Sequence, residues 1–415
     1  MKIAVWHNVP SGGSKRALYY HLKGLKERGH TIEIWTTPQA DSEYLDFSSL
    51  GPIHVVPLPP PQQVVPFKDR FGYFVFRQDS YMRQMQIHSA LCAEQMQAGG
   101  FDVLFANSCM VYAAPYIGRF IKIPSLLYLA EPSRHLYEAN PILPWMAPDA
   151  MHSWTSLSYW RMLINDFWRE RRFRVLVREE RTNLLAFRKV LVNSLFSVET
   201  CLRVYGKSTE VGYLGVDTSI FKHLNLPRQK FVICTGSFQA RKDPAFIIES
   251  LQQVKASKRP ALVWVANYTD AAFEAQMRAL AKQSGVELIL RKMVSDEELV
   301  SLLNQASAFV YAAQLEPFGL APLEASACGL PVVAVAEGGI RETVVHQQNG
   351  LLVSRSTRQM GRAIERLLDD EPLWQQLSTQ ALELIENQWS MRHCIDRIET
   401  ALYDTAMLVK QPTVE

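Results

Sequence analysis

Short apolar runs alternate with helical patterns along almost the whole chain, and this alternation limits the fold more than any other feature. Five runs in the first half are predicted strands: Lys2–Trp6, Thr31–Thr36, Val103–Ala106, Ser125–Leu129 and Val190–Val192. Six more follow in the second half: Phe231–Thr235, Ala261–Ala266, Glu287–Leu290, Ala308–Tyr311, Pro331–Ala336 and Gly350–Val353. Apolar runs bounded by turn residues are typical of strands buried on both faces of a parallel sheet. A β-α-β-α order that occurs twice predicts an α/β protein with two doubly wound domains.

The helical patterns and the chain length set the predicted domain boundaries. Arg16–Arg28 has apolar residues at a helical spacing and is followed by Gly29, a common helix stop. The 415 residues are enough for two domains of ordinary size. We predict a first domain over 1–218, a second over 226–388, and a C-terminal helical segment over 389–415.

Composition argues against a nucleic-acid partner, a signal peptide and a membrane span. The net charge is +3 with 20% charged residues, which does not indicate a nucleic-acid partner. The six cysteines form no C-x-x-C pair, so we expect reduced thiols and a cytoplasmic location. The start M-K-I-A-V-W-H-N resembles a first buried strand rather than a signal peptide. No apolar run approaches the roughly 20 residues that a membrane span needs.

The stretch E-P-F-G-L-A-P-L-E places Glu316 and Glu324 eight positions apart, after a predicted strand. A helix is predicted to begin near Gly319 and Leu320 and to run to about Cys328. Helix N-termini expose unpaired N–H groups and bind phosphates, and a glycine lets the anion approach the backbone. Glu316 would then hold sugar hydroxyls and Glu324 ribose hydroxyls of one nucleotide-sugar. The alternative is that both are ordinary carboxylates, one in a loop and one on a solvated helix face.

Two further loops follow predicted strands of the second domain. In G-S-F-Q-A-R-K-D, Gly236 opens a turn in which Arg241 and Lys242 could neutralise a diphosphate leaving group. In A-E-G-G-I-R-E, paired glycines precede a helix and would form another backbone cradle. Open α/β sheets bind ligands at the carboxyl ends of their strands, so these loops are predicted to form one site.

The first domain offers H-N-V-P-S-G-G-S-K-R after its first strand, which fits neither a Walker A loop nor G-x-G-x-x-G. Gly12 and Gly13 could approach the diphosphate, and Ser14 could cap the next helix. Lys15 and Arg16 could meet an anionic acceptor or be solvated, and solvation is the favoured expectation. His7 is a weak catalytic candidate. The arginine-rich segment Phe167–Val190 could lie on anionic lipid, at the inner face of the membrane. It is more simply a core helix whose arginines pair with its glutamates.

The second-half motifs together resemble the E-x7-E region of glycosyltransferase family 4, the retaining group 1 enzymes of GT-B fold. The segments V-N-S at 192–194, G-V-D at 215–217 and V-S-D-E-E-L at 294–299 match that family in order. The resemblance implies two Rossmann-like domains facing across a cleft, with the C-terminal helix returning to the first. It also implies that Arg241 and Lys242 contact the donor diphosphate, Glu316 the sugar and Glu324 the ribose. The segment around Met293 would lie near the base.

The chain departs from the family pattern at two places. Ser237 stands where the commoner form has arginine, a charge that Arg241 would supply. Ala130 stands in Y-L-A-E-P-S-R where a similar family stretch has a histidine beside the donor sugar. His135 is five positions further on.

The predicted function is transfer of a hexose from a UDP-, GDP- or ADP-sugar to an acceptor hydroxyl, with retention. Polysaccharide, glycolipid and glycoconjugate acceptors stay open, as do lipid-linked and small-molecule ones. The absence of a D-x-D carboxylate pair suggests no metal, and no cofactor is expected. A nucleotide-sugar epimerase and a non-catalytic nucleotide-sugar-binding protein are the alternatives.

Overall fold

The computed structural model describes residues 1–41, 44–60, 77–138 and 154–408. They divide into two compact units. The first comprises Met1–Asn193, Ser197–Gly212 and the chain from Ile395 onward. The second comprises Ser194–Phe196 and Tyr213–Cys394. The main division thus falls at Gly212–Tyr213, shortly before the predicted boundary at 218.

The first unit is built on a parallel seven-stranded sheet in the order β3-β2-β1-β4-β5-β6-β7. Its strands are β1 Lys2–His7, β2 Thr31–Thr36, β3 Ile53–Val55, β4 Val103–Asn107, β5 Ser125–Ala130, β6 Lys189–Val192 and β7 Glu210–Val211. Its helices are α1 Gly13–Glu27, α2 Arg77–Ala98, α3 Arg134–Tyr137, α4 Leu157–Leu185 and α5 Leu195–Tyr205, with a 3₁₀ turn at Tyr116–Arg119. The central strands are almost fully buried, as their unbroken apolar runs predict.

The second unit has a parallel six-stranded sheet in the order β10-β9-β8-β11-β12-β13. Its strands are β8 Phe231–Thr235, β9 Ala261–Ala266, β10 Leu288–Lys292, β11 Ala308–Tyr311, β12 Val332–Val335 and β13 Gly350–Val353. The helices are α6 Pro244–Gln252, α7 Ala271–Gln283, α8 Asp296–Gln305, α9 Leu320–Ala327, α10 Ile340–Thr343, α11 Thr357–Asp369 and α12 Glu371–Leu384. A 3₁₀ turn covers Ala240–Lys242, a short π-helix covers Ile385–Trp389, and α13 spans Met391–Met407, with its residues from Ile395 onward in the first unit.

The prediction of two doubly wound α/β domains is confirmed, because every described ladder of both sheets is parallel. Sequence analysis missed β3 and β7, two short strands at the sheet edges that are only partly buried. Such strands lack the long apolar run on which the predictions rest. The predicted cap at Ser14 is wrong, because Gly12 occupies the N-cap of α1 and no side chain caps it.

Candidate active site

The second sheet changes direction between β8 and β11. From β8 the chain continues outward to β9 and β10, whereas from β11 it continues to β12 and β13 on the other side. Loops that follow two such neighbouring strands diverge and leave a crevice at the carboxyl edge, where α/β proteins bind ligands. Gly236, Arg241 and Lys242 follow β8, and Glu316 and Gly319 follow β11. The fold therefore places these predicted residues at one switch point.

Lys242, Tyr311 and Glu316 form a cluster at this point. The Lys242 Nζ donates to Tyr311 Oη at 2.7 Å and to Glu316 Oε2 at 2.9 Å. The two charged side chains are only 12% and 17% exposed, so the pair is largely shielded from solvent. Burial raises the pKa of Tyr311 well above its usual range, and the Glu316 carboxylate adds to this effect. The ammonium group thus lies between a neutral phenol and a carboxylate.

Arg241 lies on the exposed side of the same turn. Its positive charge opposes the increase in the Tyr311 pKa, although burial and the Glu316 carboxylate outweigh it. The turn is fixed from both ends, since Gln314 N donates to the Arg241 carbonyl at 3.0 Å and Asp243 caps α6 by accepting from Phe246 N. Gly236 begins the turn at φ 126°, a conformation that favours glycine. The two cations that the sequence singled out therefore lie on one turn after β8.

The N-terminus of α9 opens beside this cluster. Gly319 is its N-cap at φ 101°, and no side chain caps the helix. The first two helical residues, Leu320 and Ala321, have N–H groups that no intrahelical carbonyl can accept, whereas Pro322 has none to offer. Glu324 follows one turn later and is only 7% exposed, so the alternative of a solvated Glu324 is wrong. This helix start supplies main-chain donors and a positive dipole end for an anion.

Gly338 and Gly339 position the Glu316 loop instead of forming an open cradle of their own. A Cβ on Gly338 would lie 2.3 Å from the Glu316 carbonyl oxygen, and one on Gly339 would lie 2.0 Å from the Pro317 carbonyl oxygen. The Gly339 amide donates to the Glu316 carbonyl at 2.7 Å. Only glycines allow this backbone-to-backbone contact. The predicted cradle is corrected: the Gly339 amide is already used, and the pair fixes the backbone of Glu316.

Arg355, just after β13, is a site residue that sequence analysis missed. Its guanidinium binds both oxygens of Glu337, at 2.7 and 2.6 Å, and Asp243 Oδ2 at 2.8 Å. It also donates to the Ala312 carbonyl at 3.2 Å. These partners lie in the loops after β12, β8 and β11, so one side chain joins three loops. A charged residue directly after a strand was the available signal.

Met293 follows β10, the last strand at one side of the second sheet. It is 78% exposed and adopts φ 52°, with its amide bonded to the Ala266 carbonyl at 3.1 Å. This position is at the same carboxyl edge as the cluster. Its contact with a base stays a prediction.

The first sheet has its own switch point between β1 and β4, and Gly12 and Gly13 follow β1 there. A Cβ on either glycine would meet no atom within 4 Å, so the loop borders open space. The expectation for Lys15 is wrong: its side chain is 1% exposed and binds Asp41 through Oδ1 at 2.6 Å. Lys15 therefore stabilises the neighbouring loop. His7 is buried, and burial together with Lys15 lowers its pKa to about 3, which keeps its imidazole neutral.

The end of β5 is irregular where the family pattern has histidine. Ala130 adopts φ 63°, which non-glycine residues rarely do, and its carbonyl accepts from Asn193 N at 2.9 Å. Three residues on, Ser133 Oγ donates to Glu180 of α4 at 2.7 Å, and Tyr205 Oη also donates to that carboxylate. Burial raises the pKa of Glu180 to about 7. His135 is exposed on α3.

The helix α4, which contains most of the arginine-rich segment, has two different halves. Toward its C-terminus Glu179 accepts from Tyr116 Oη and Arg119 Nη2, both at 2.9 Å, so the core interpretation holds there. Toward its N-terminus the apolar side chains are exposed, with Leu157 86% accessible. No helix of the described residues is long and apolar enough to cross a bilayer.

Comparison with known proteins gives a family match for one segment. Residues 216–384, most of the second unit, match the family Glycosyl transferases group 1. This segment is therefore a group 1 glycosyltransferase domain.

Individual relatives share only part of their length with the chain. It is 22% identical over 227 residues to the putative glycosyltransferase YtcC of Bacillus subtilis, covering 49% of the chain and 56% of that protein. It is 38% identical over 113 residues to the D-inositol 3-phosphate glycosyltransferase of Corynebacterium diphtheriae, covering 27% of the chain and 26% of that protein. The chain thus spans about a quarter to just over half of these curated relatives.

Solved structures resemble the chain over its whole length. Sucrose-phosphate synthase from Thermosynechococcus elongatus has a TM-score of 0.70 at 18% identity, covering 99% of this chain and 100% of that one. Anabaena Alr3699/HepE in complex with UDP and glucose has a TM-score of 0.68 at 16% identity, covering 97% and 99%. These likenesses establish the two-domain GT-B fold.

Proposed function

We propose that this protein transfers a hexose from a nucleotide diphosphate-sugar to an acceptor hydroxyl, with retention of the anomeric configuration. The observation that carries the proposal is the Lys242–Tyr311–Glu316 cluster, at the switch point of the second sheet and beside the uncapped start of α9. The structures of Anabaena HepE that hold UDP, UDP with glucose, and UDP-glucose support such a donor.

The charges of this cluster suit departure of a diphosphate. Cleavage of the sugar–phosphate bond develops negative charge on the leaving oxygens, and fixed donors aimed there lower the barrier most. Arg241, Lys242 and the amides of Leu320 and Ala321 are such donors. The Tyr311 side chain and the loops hold these donors in place before any ligand arrives. Little reorganisation is therefore needed during the reaction.

Glu316 would bind the sugar and not the phosphate. A carboxylate next to a diphosphate is repelled unless a cation lies between them, and the Lys242 ammonium is 2.9 Å from Glu316 Oε2. The carboxylate can then accept hydrogen bonds from sugar hydroxyls while the lysine ammonium binds the phosphate. Front-face attack by the acceptor, with the diphosphate oxygen taking the acceptor proton, would retain configuration.

The test begins with a thermal-shift panel of UDP, GDP and ADP and their hexose conjugates on the full chain. A specific ligand stabilises by mass action, so the donor should increase the melting temperature. Nucleotide release is then measured with saccharide, lipid-linked and small-molecule acceptors. Transfer with retention, read by NMR of the product anomer, is the expected result.

One variant and its control test whether Glu316 takes part in the reaction. Glu316→Ala should lower kcat at least about 100-fold while the nucleotide affinity changes less than about threefold. Glu249→Ala, an exposed carboxylate on α6, is the matched control and should change neither. Turnover near the wild-type rate in Glu316→Ala would remove Glu316 from the reaction. An epimer formed without nucleotide release would point to an epimerase, and binding without turnover on any acceptor to a non-catalytic protein.

A further inference from the structure

The N-terminal half of α4 presents an apolar face to solvent. Leu157, Trp160, Ile164 and Phe167 are 86%, 50%, 53% and 60% exposed, and Trp154 just before the helix is 73% exposed. By contrast, the buried residues of this helix begin at Val175. Large apolar side chains scattered singly need no explanation, but a contiguous set on one element marks a contact surface.

The spacing places these side chains on one stripe. At about 100° per residue, Leu157, Trp160, Ile164 and Phe167 fall within an arc of roughly 80°. The Trp160 indole N–H already donates to the Trp154 carbonyl at 3.0 Å, so the ring can enter an apolar medium without losing a hydrogen bond. The stripe combines aromatic and aliphatic groups, as helices that lie in a membrane interface do.

Basic residues border the stripe. Residues 154–174 contain five arginines against Asp166 and Glu170, a net charge of +3 from five minus two. On the same wheel Arg161 lies about 40° beyond Leu157 and Arg174 about 20° beyond Phe167, whereas Arg171 lies within the arc at the C-terminal end of the stripe. Arginines at the edges of an apolar stripe would reach lipid phosphates while the stripe enters the acyl region.

An apolar helix face could bind either a second copy of this chain or a lipid surface, and charge complementarity distinguishes the two. A second copy of the chain would bring two faces of net +3 together, and like charges oppose that contact. An anionic lipid surface is attracted by the same charges, at about 1 kcal/mol per arginine near the surface. We propose that the N-terminal half of α4 attaches this protein to the surface of an anionic membrane, lying in the interface without crossing it.

The experiment measures binding of the full chain to vesicles by flotation. Vesicles of phosphatidylcholine alone are compared with vesicles that contain roughly 30 mol % phosphatidylglycerol. Ile164→Ser with Phe167→Ser removes two side chains of the stripe. The matched control, Leu185→Ser with Leu202→Ser, changes two leucines that are 43% and 56% exposed at the far end of α4 and on α5. Circular dichroism and melting temperature confirm that both pairs fold.

Wild type is expected to bind the anionic vesicles, and binding should weaken when salt increases from about 0.1 M to about 0.5 M. The Ile164/Phe167 pair should weaken binding at least about tenfold, and the control pair less than about twofold. Arg161→Gln with Arg174→Gln should lose the preference for the anionic lipid. Absence of vesicle binding by wild type, or equal binding by both serine pairs, overturns the proposal. So does a wild-type dimer that the Ile164/Phe167 pair disperses and that does not float with vesicles.

Discussion

The energetic link between Lys242 and Glu316 can be measured with a double-mutant cycle. The perturbation is Lys242→Met, Glu316→Gln and both together, which remove the charges but keep most of the side-chain volume. If the ammonium and carboxylate stabilise each other as their 2.9 Å separation indicates, each single change leaves a shielded partner behind. The double variant should then be more stable than the sum of the two single changes predicts.

The magnitude follows from the geometry. Unit charges 2.9 Å apart attract by roughly 5–6 kcal/mol at an effective dielectric of about 20. Desolvation of both groups offsets much of this, and the remaining exposure of 12% and 17% admits some solvent screening. A coupling free energy of about 1.5–3 kcal/mol remains, which is typical of close pairs that are mostly buried.

The assay is thermal and urea unfolding of the full chain, using the transition that both single variants shift. Lys258→Met with Asp369→Asn is the control cycle: this pair is 2.6 Å apart in the same unit but 43% and 45% exposed. Its coupling should be clearly smaller than that of Lys242 and Glu316, because solvent screens exposed pairs. A Lys242–Glu316 coupling no larger than that of the control pair would show that the two charges act independently, and would refute the shielded-cluster argument.

Two further predictions concern a carboxyl group and a glycine. The pKa of Glu180 is about 7 in the folded chain against 4.5 as its ordinary value, so its protonated form favours folding; this stabilisation is present below pH 4.5 and is lost as pH increases through 7. Thermal unfolding of wild type should therefore lose up to about 3 kcal/mol across that window, and Glu180→Gln but not the exposed Glu199→Gln should flatten the profile. Gly339→Ala should destabilise by at least about 3 kcal/mol in the same assay, because its Cβ meets a backbone oxygen at 2.0 Å, whereas Gly13→Ala should change stability by less than about 0.5 kcal/mol; equal effects would contradict the close-approach argument.

The sequence predicted the elements whose signal is local and repeated. The runs at β1, β8, β9 and β11 are almost continuously apolar because they are buried on both faces, and their bounds match the structure to within a residue or two. The start of α9 was also predicted, since Gly319 after a proline allows a helix to begin there. The sequence predicted parallel sheets but not the order of their strands, and individual edge strands such as β3 carry too few apolar residues to be recognised.

Properties that depend on packing between distant segments could not be predicted. Lys15 and Arg241 are both basic residues shortly after the first strand of their units, yet one is buried against Asp41 and the other is exposed. Nothing local distinguishes them, because the partner of Lys15 is 26 residues away. The same holds for Glu180, whose pKa is raised by burial against the opposing effect of hydrogen bonds from Ser133 and Tyr205 on other elements.

Arg355 shows why the candidate site needs more than its motifs. The E-x7-E and R-K segments supply the groups that face a ligand, but each lies on a loop that could move independently of the others. The Arg355 guanidinium joins the loop of Asp243 to the loops of Ala312 and Glu337, and Glu337 directly precedes the glycine pair on which the Glu316 backbone rests. The arrangement of Lys242 and Glu316 thereby depends on a residue just after β13 that belongs to neither motif. Because catalysis by fixed charges depends on their arrangement before the ligand binds, this bridge is as much a part of the site as the cations themselves.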